Sequence, residues 1–254
     1  MRIALPEAAG AWRAGRFFML RPVEGLAPAI PRPFSIYRQL PDGSLEFLIK
    51  VIGSGTRALA AMPIGAEILA VGPLGNGLAP LDDQTDPWVL LAGGIGSAPF
   101  YMGIQRAVAG TAEVAPVRPE SITMIYGAAT ASMLYDFELF EELGVRVLAA
   151  TDDGTRGFQG NVLQLLQSQW KSGEIPQQVR LAACGPEPMM RAVAREAERH
   201  ELSCLLSLET LMGCGVGICN GCAVLTTPEG AHGDWPVLKC CIDGPVFDAR
   251  SIQI

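Results

Sequence analysis

The sequence predicts an α/β plus all-β protein: an N-terminal antiparallel Greek-key β-barrel, an open parallel α/β sheet, and a small cysteine-bearing module at the C-terminus. Three observations predict it. The first third of the chain is a set of short β-prone runs punctuated by Pro and Gly. The middle alternates near-continuous apolar runs with helix-length segments. The last part carries three cysteines crowded among glycines.

The β-prone runs are "RFFMLRP" (16–22), "PFSIYRQ" (33–39), "SLEFLIKVI" (44–52) and "AEILAVGP" (66–73). "LPDGS" (40–44) between two of them is a hairpin turn signal. So many short strands in so little chain suggest a small barrel. "APLDDQTDP" (79–87) is polar and turn-rich and reads as the domain boundary. The expected division is 1–82, 87–205 and 206–254.

Beyond the boundary, "WVLLAGG" (88–94), "SITMIYGA" (121–128), "VRVLAATDD" (145–153) and "VRLAACGP" (179–186) are apolar almost throughout. Such runs fit parallel strands covered on both faces. Helices are expected over Ser97–Ala109, Ser132–Leu143, Asn161–Lys171 and Pro186–His200, with Met189, Met190, Val193 and Ala197 as a buried face of the last. "SCLLSLE" (203–209) is a fifth strand.

The 254 residues, 49% of them apolar and 18% charged, suffice for two compact domains and an extra module. A net charge of −7 and a pI near 4.9 exclude nucleic acid and an anionic membrane surface as expected partners. No apolar run is long enough to span a membrane, and no export signal opens the chain, so a cytoplasmic protein is expected. Seven cysteines then favour metal ligation over a disulfide framework, and two histidines, His200 and His232, leave little for a histidine-based site.

In "MGCGVGICNGC" (212–222), Cys214, Cys219 and Cys222 are spaced C-x4-C-x2-C, and a late pair, Cys240 and Cys241, follows. That is the ligand order of a plant-type [2Fe–2S] cluster. Gly213, Gly215, Gly217 and Gly221 would permit positive φ and bring amides close to the sulfides. The rivals are a structural zinc, which usually takes two C-x2-C knuckles, and inert buried thiols. "LLAGGIGSAPF" (90–100) offers amides and a helix N-terminus to a pyrophosphate, without meeting the G-x-G-x-x-G fingerprint. "YGAAT" (126–130) and "CGPEPMM" (184–190) recur at strand C-terminal ends, where open α/β sheets bind ligands. In the β-rich part, Arg32 between Pro31 and Pro33, and Lys50 before the "GSGT" turn (53–56), are candidate phosphate anchors.

Arg-x-x-Ser, Gly-x-Gly-Thr, Gly-Gly-x-Gly-x-x-Pro and Cys-Gly-Pro, in that order, resemble the ferredoxin–NADP reductase superfamily. With the C-terminal cysteines and "CCIDGPVFDA" (240–249), the chain resembles its branch of electron-transfer subunits of class 1B dihydroorotate dehydrogenases, and "GPLGNG" (72–77) and "TDDGTRGFQGNV" (151–162) match that style. The resemblance implies FAD held by Arg32, Pro33, Phe34 and Ser35, lined by Leu48, Ile49 and Lys50, and closed over by Gly55 and Thr56. It implies nicotinamide dinucleotide on Gly93, Gly94, Gly96 and Pro99, and on Gly185 and Pro186, with Cys184 as the catalytic-site cysteine beside the nicotinamide. It assigns the cluster to Cys214, Cys219, Cys222 and Cys241, because Cys241 stands one residue before Asp-Gly-Pro. Ala129 stands where a basic residue often occurs, so NAD(H) is favoured over NADP(H). The implied activity is an electron relay: an FMN-containing dihydroorotate dehydrogenase catalytic subunit oxidises dihydroorotate, and electrons pass through the [2Fe–2S] cluster and FAD to NAD+ in a hetero-oligomer. The alternatives are a reductase subunit serving a hydrogenase or oxygenase, and a zinc-stabilised nucleotide-binding module without turnover.

Overall fold

A computed structural model describes residues 1–5, 12–23, 30–111, 115–228 and 236–254. The strands are β1 (Arg2–Ile3), β2 (Phe17–Pro22), β3 (Arg32–Ser35), β4 (Arg38–Gln39), β5 (Leu45–Glu46), β6 (Ile68–Leu74), β7 (Trp88–Gly93), β8 (Ile122–Ala128), β9 (Arg146–Thr151), β10 (Phe158–Gln159), β11 (Arg180–Cys184), β12 (Cys204–Ser207), β13 (Ala223–Leu225), β14 (Val237–Lys239) and β15 (Val246–Asp248). The helices are α1 (Ser54–Ala60), α2 (Ala98–Ala109), α3 (Phe137–Glu141), α4 (Val162–Ser172) and α5 (Glu187–Arg199).

The β-rich part consists of two antiparallel three-stranded sheets, ordered β1-β5-β4 and β3-β2-β6. The run from Arg32 to Gln39 crosses from one to the other. Ile36 N donates to Arg16 O at 2.9 Å and Tyr37 N to Glu46 O at 2.9 Å. The expected hairpin forms, with Leu40 N bonded to Ser44 O and Gly43 at φ 83°. The strand expected over 44–52 is shorter: only Leu45 and Glu46 are in a strand, and beyond Phe47 the chain supplies Leu48, Lys50 and Ile52 to a cavity wall. The "GSGT" turn is the start of α1, because the Thr56 hydroxyl accepts from the amides of Ile52 and Gly53 at 3.0 Å each.

The α/β part is a seven-stranded sheet ordered β10-β9-β8-β7-β11-β12-β15, parallel except for β15. Its β7 shows why the apolar runs are unbroken. Trp88, Leu90 and Ala92 enter one core, shared with Phe18, Ile36, Phe47, Phe100 and Phe140. Val89 and Leu91 enter a second core, with Leu166, Trp170, Val193 and the thiols of Cys222 and Cys240. Alternate residues thus face opposite, equally covered sides. The helix expected over Ser132–Leu143 is cut down to α3, since Asp136 at φ 54° interrupts it after a 3-10 turn at Ala131–Met133. In α5, Met190, Val193 and Ala197 are buried as expected, while Met189 is half-buried at a cavity wall. The chain runs β7, β8, β9 to one side and then returns to β11 on the other flank of β7. The sheet's switch point therefore lies between the C-terminal ends of β7 and β11.

Candidate functional site

The C-terminal cysteines are gathered by a small hairpin. Strands β13 and β14 pair antiparallel with Ala223 opposite Lys239, and Cys240 N donates to Cys222 O at 2.9 Å. This sets Cys222 beside Cys241, sulfurs 3.3 Å apart, while the sulfurs of Cys214 and Cys219 are 3.4 Å apart. Cys240 is as buried in the second core as Cys222 and Cys241, but its sulfur is directed elsewhere, 4.0 Å from Leu208 O. Cys241 is thus the late cysteine that joins the others.

The loop also surrounds the sulfurs with amides. Cys219 N–H reaches the Cys214 sulfur at 3.4 Å, and the Val216 and Ile218 amides point at it too. These hydrogen bonds, that of Cys219 first, bring the Cys214 thiol down to about 6. Burial first, then the hydrogen bond to Cys222, pushes Cys241 up to about 12, against a donation from the Gly217 amide. A metal would displace that proton. Of the four glycines, Gly215 and Gly217 have positive φ, 72° and 79°, and are also pressed against Met19 and Ile242. Gly213 and Gly221 have no positive φ, and a Cβ there would meet the Cys219 sulfur only at ordinary contact distance, 3.4 Å and 3.7 Å. Among the described residues, no group of three or more His, Cys, Asp or Glu side chains is placed to hold a single metal ion. Two thiol pairs wrapped in amides fit a two-iron cluster, which takes two protein ligands per iron, better than one tetrahedral zinc.

Two cavities adjoin this module. One, of about 460 Å³, is lined by Arg32, Pro33, Phe34, Ser35, Leu48, Lys50, Gly55 and Thr56, together with Phe17, Met212 and Pro245. Thus seven of the residues expected to hold or line a flavin, and Thr56 with them, converge. Ile49 does not join them; it turns into the first core. The Thr56 hydroxyl is engaged with its own backbone, since it also donates to Gly53 O at 3.2 Å, so its part is to shape the loop. The second cavity, of about 840 Å³, opens at the C-terminal ends of β7, β8, β9 and β11 and is lined by Gly93, Gly94, Gly185 and Pro186. Gly96 and Pro99 lie buried behind it. A Cβ on Gly96 would stand 2.2 Å from Cys184 O, so this glycine allows the turn after β7 to pack on the end of β11.

Cys184 ends β11 at 1% exposure and lines neither cavity. Burial, then the nearby Glu209 carboxylate, raises its thiol, which therefore stays protonated at neutral pH. Sequence reasoning missed Glu209 itself. It lines both cavities along with Lys50, Ile95, Leu208 and Thr210, and burial raises its carboxyl. The available signal was its place just past the C-terminal end of β12, the ligand edge of such sheets. Asp152 was missed as well; it lines the larger cavity with Ala129.

The profile of the "Iron-sulfur cluster binding domain of dihydroorotate dehydrogenase B" matches residues 209–253, and that of the "Oxidoreductase NAD-binding domain" matches residues 90–195. The chain is 32% identical over 255 residues to the dihydroorotate dehydrogenase B (NAD(+)) electron transfer subunit of Desulforamulus reducens, covering 99% of this chain and 91% of that one. It is 34% identical over 243 residues to the subunit of the same name from Shouchella clausii, covering 94% and 86%. Among solved structures, the NADH-dependent reduced ferredoxin–NADP oxidoreductase superposes with a TM-score of 0.80 at 25% identity, over 99% of this chain and 83% of the other. A Neisseria gonorrhoeae ferredoxin NADP+ reductase with bound FAD and NADP superposes at 0.60 and 21% identity, over 78% and 83%, a likeness of fold. The fold is that of the ferredoxin–NADP reductases, and the chain belongs to the family of dihydroorotate dehydrogenase B (NAD(+)) electron transfer subunits.

Proposed function

We propose that this chain is the electron-transfer subunit of a dihydroorotate-oxidising complex of pyrimidine biosynthesis, passing electrons from a partner's FMN through a [2Fe–2S] cluster and FAD to NAD+. One observation carries the reading: the smaller cavity touches both neighbours it would have to serve. It shares Lys50, Ile95, Leu208, Glu209 and Thr210 with the nucleotide cavity, and it is bounded by Met212 and Pro245, which flank the cysteine ligands in sequence. Held there by the residues of that cavity, a flavin would supply the coupling of one-electron to two-electron chemistry.

The chain's own residues have the complementary tasks. Arg32 and Lys50 supply positive charge to the diphosphate, while Pro33, Phe34 and Leu48 give the ring an apolar wall. Gly93, Gly94, Gly185 and Pro186 form the floor at the switch point, and Gly96 and Pro99 set that floor's close packing. Glu209 lines the wall that the two cavities share, while Cys184 lies buried behind that wall as a neutral thiol. Ala129 offers no cation and Asp152 offers a carboxylate, which suits a ribose hydroxyl and repels a 2′-phosphate, so the nucleotide is NAD(H). Cys214 with Cys219, and Cys222 with Cys241, would hold the two irons of the cluster. Residues 1–82 then form the flavin unit, 87–205 the nucleotide unit and 206–254 the cluster unit. Among the described residues no helix is long and apolar enough to cross a membrane, and we assign the complex to the cytoplasm.

Full-length protein loaded with FAD, iron and sulfide is the test. NADH should bleach the flavin and produce the paramagnetic signal of a reduced cluster, and adding an FMN-bearing catalytic subunit should give dihydroorotate-dependent reduction of NAD+. Zinc without iron or acid-labile sulfide in the purified protein, or an NADH-driven acceptor rate equal to the blank, would sink the reading.

A further inference from the structure

We propose that Asn76 is a positioning residue that fixes the flavin pocket relative to the cluster ligand Cys241. The proposal rests on the relay reading above. Asn76 lies in "GPLGNG" (72–77), just past β6, and its polar atoms are all directed at one four-residue stretch that starts two residues after Cys241. Its Nδ2 donates to Asp243 O at 2.8 Å and to Val246 O at 2.7 Å. Its Oδ1 accepts from Val246 N at 3.2 Å, and its backbone N donates to Gly244 O at 2.6 Å. A side chain with two donors and an acceptor on one short stem is what this pattern needs; a carboxylate could not donate. The approach is as close as a glycine permits. Gly75 has φ 79°, and a Cβ there would stand 2.6 Å from Pro245 Cδ and 2.8 Å from Gly244 O.

Both ends of the clamped stretch lead to a redox site. Toward Cys241 it is rigid, because Ile242 N and Asp243 N donate to Lys239 O at 2.9 and 2.8 Å, and Lys239 N donates to Asp243 Oδ2 at 2.7 Å. Any shift of Asp243 therefore carries Cys241 with it. Toward the flavin, Pro245 is part of the cavity wall, and Leu208 N donates to its carbonyl at 2.9 Å. Strand β6, meanwhile, is paired to β2 with Leu74 opposite Phe17, another wall residue. Asn76 thus ties the strand that builds the flavin pocket to the turn that carries the fourth cysteine, and electron exchange depends steeply on that separation.

The test mixes NADH anaerobically with the fully loaded chain and follows flavin bleaching and cluster reduction as separate phases. In Asn76→Ala, cluster reduction should slow roughly tenfold while flavin bleaching stays within about twofold, with iron per chain unchanged. Asn76→Asp should be as slow, having lost both donations. Asn76→Ser, milder and more certain to fold, should fall between. Amide exchange at Val246 should quicken in Asn76→Ala, which leaves that N–H without its side-chain acceptor, even in the metal-free chain. Unaltered cluster reduction, equal slowing of both phases, slowing in proportion to lost iron, or unchanged exchange at Val246 would each overturn the proposal. A parent protein that bleaches its flavin but never reduces a cluster would instead refute the relay reading, and the exchange measurement would still test the clamp.

Discussion

Adjacent residues Cys240 and Cys241 leave the end of β14 in opposite directions, and this divides two chemically identical thiols between two tasks. Cys240 has no exposure and packs among Val224, Leu238 and Phe247, as a small hydrophobe does. Cys241 meets Cys222 across the hairpin mouth. Replacing each by serine separates the tasks. Cys241→Ser should abolish stable cluster incorporation, read as iron and sulfide per chain. Cys240→Ser should keep the iron and cost about 1 kcal/mol of stability, since the hydroxyl loses the thiol's apolar packing but keeps Leu208 O within reach, read by denaturant unfolding. Iron loss in Cys240→Ser alone would reverse the assignment.

Among the elements, α1 is the one whose local chemistry most directly shapes the smaller cavity, where we place the flavin. It has seven residues, too few to stand on propensity, and its first turn is held by Thr56 accepting from Ile52 and Gly53. Thr56→Val keeps the shape and removes the acceptor. It should destabilise that turn by about 1 kcal/mol and, if the loop's order is fully coupled to binding, weaken FAD roughly fivefold, which flavin titration would measure. Unchanged affinity would mean the loop is held by its other contacts. That α1 escaped sequence reading has the same origin: Gly53 and Gly55 suppress the helical signal that a tertiary wall then overrides. Strands β10 and β15, two and three residues long, are equally invisible, since sheet-edge pairing and not composition defines them. By contrast β7, β8, β9 and β11 were legible because two-sided burial writes itself as unbroken apolar runs. The site divides likewise. Cys214, Cys219 and Cys222 announce themselves by spacing, as do the glycines after β7. Asn76 and Glu209 are single polar residues whose roles come from partners as much as 170 positions away, and no local pattern encodes such a role.

At the scale of the whole molecule, the cysteine-bearing stretches carry large apolar side chains that neither core covers. Ile218 is 84% exposed, and Val216 and Ile242 are also exposed; Leu211, 88% exposed, stands at the edge of the smaller cavity. All four belong to the stretches that carry Cys214, Cys219, Cys222 and Cys241. Soluble proteins seldom present such apolar side chains together without a partner, and a relay needs its outer redox centre close to the donor's. The same residues that would admit electrons are thus the ones that would bury against the catalytic subunit. Ile218→Glu places a charge in that contact and should weaken the complex at least tenfold, about 1.4 kcal/mol, read by co-purification and by titration of dihydroorotate-dependent NAD+ reduction. NADH-driven flavin bleaching in the separate chain should be unaffected, since Ile218 lines neither cavity. Undiminished complex formation by the glutamate variant would mean that the partner approaches the cluster from another side.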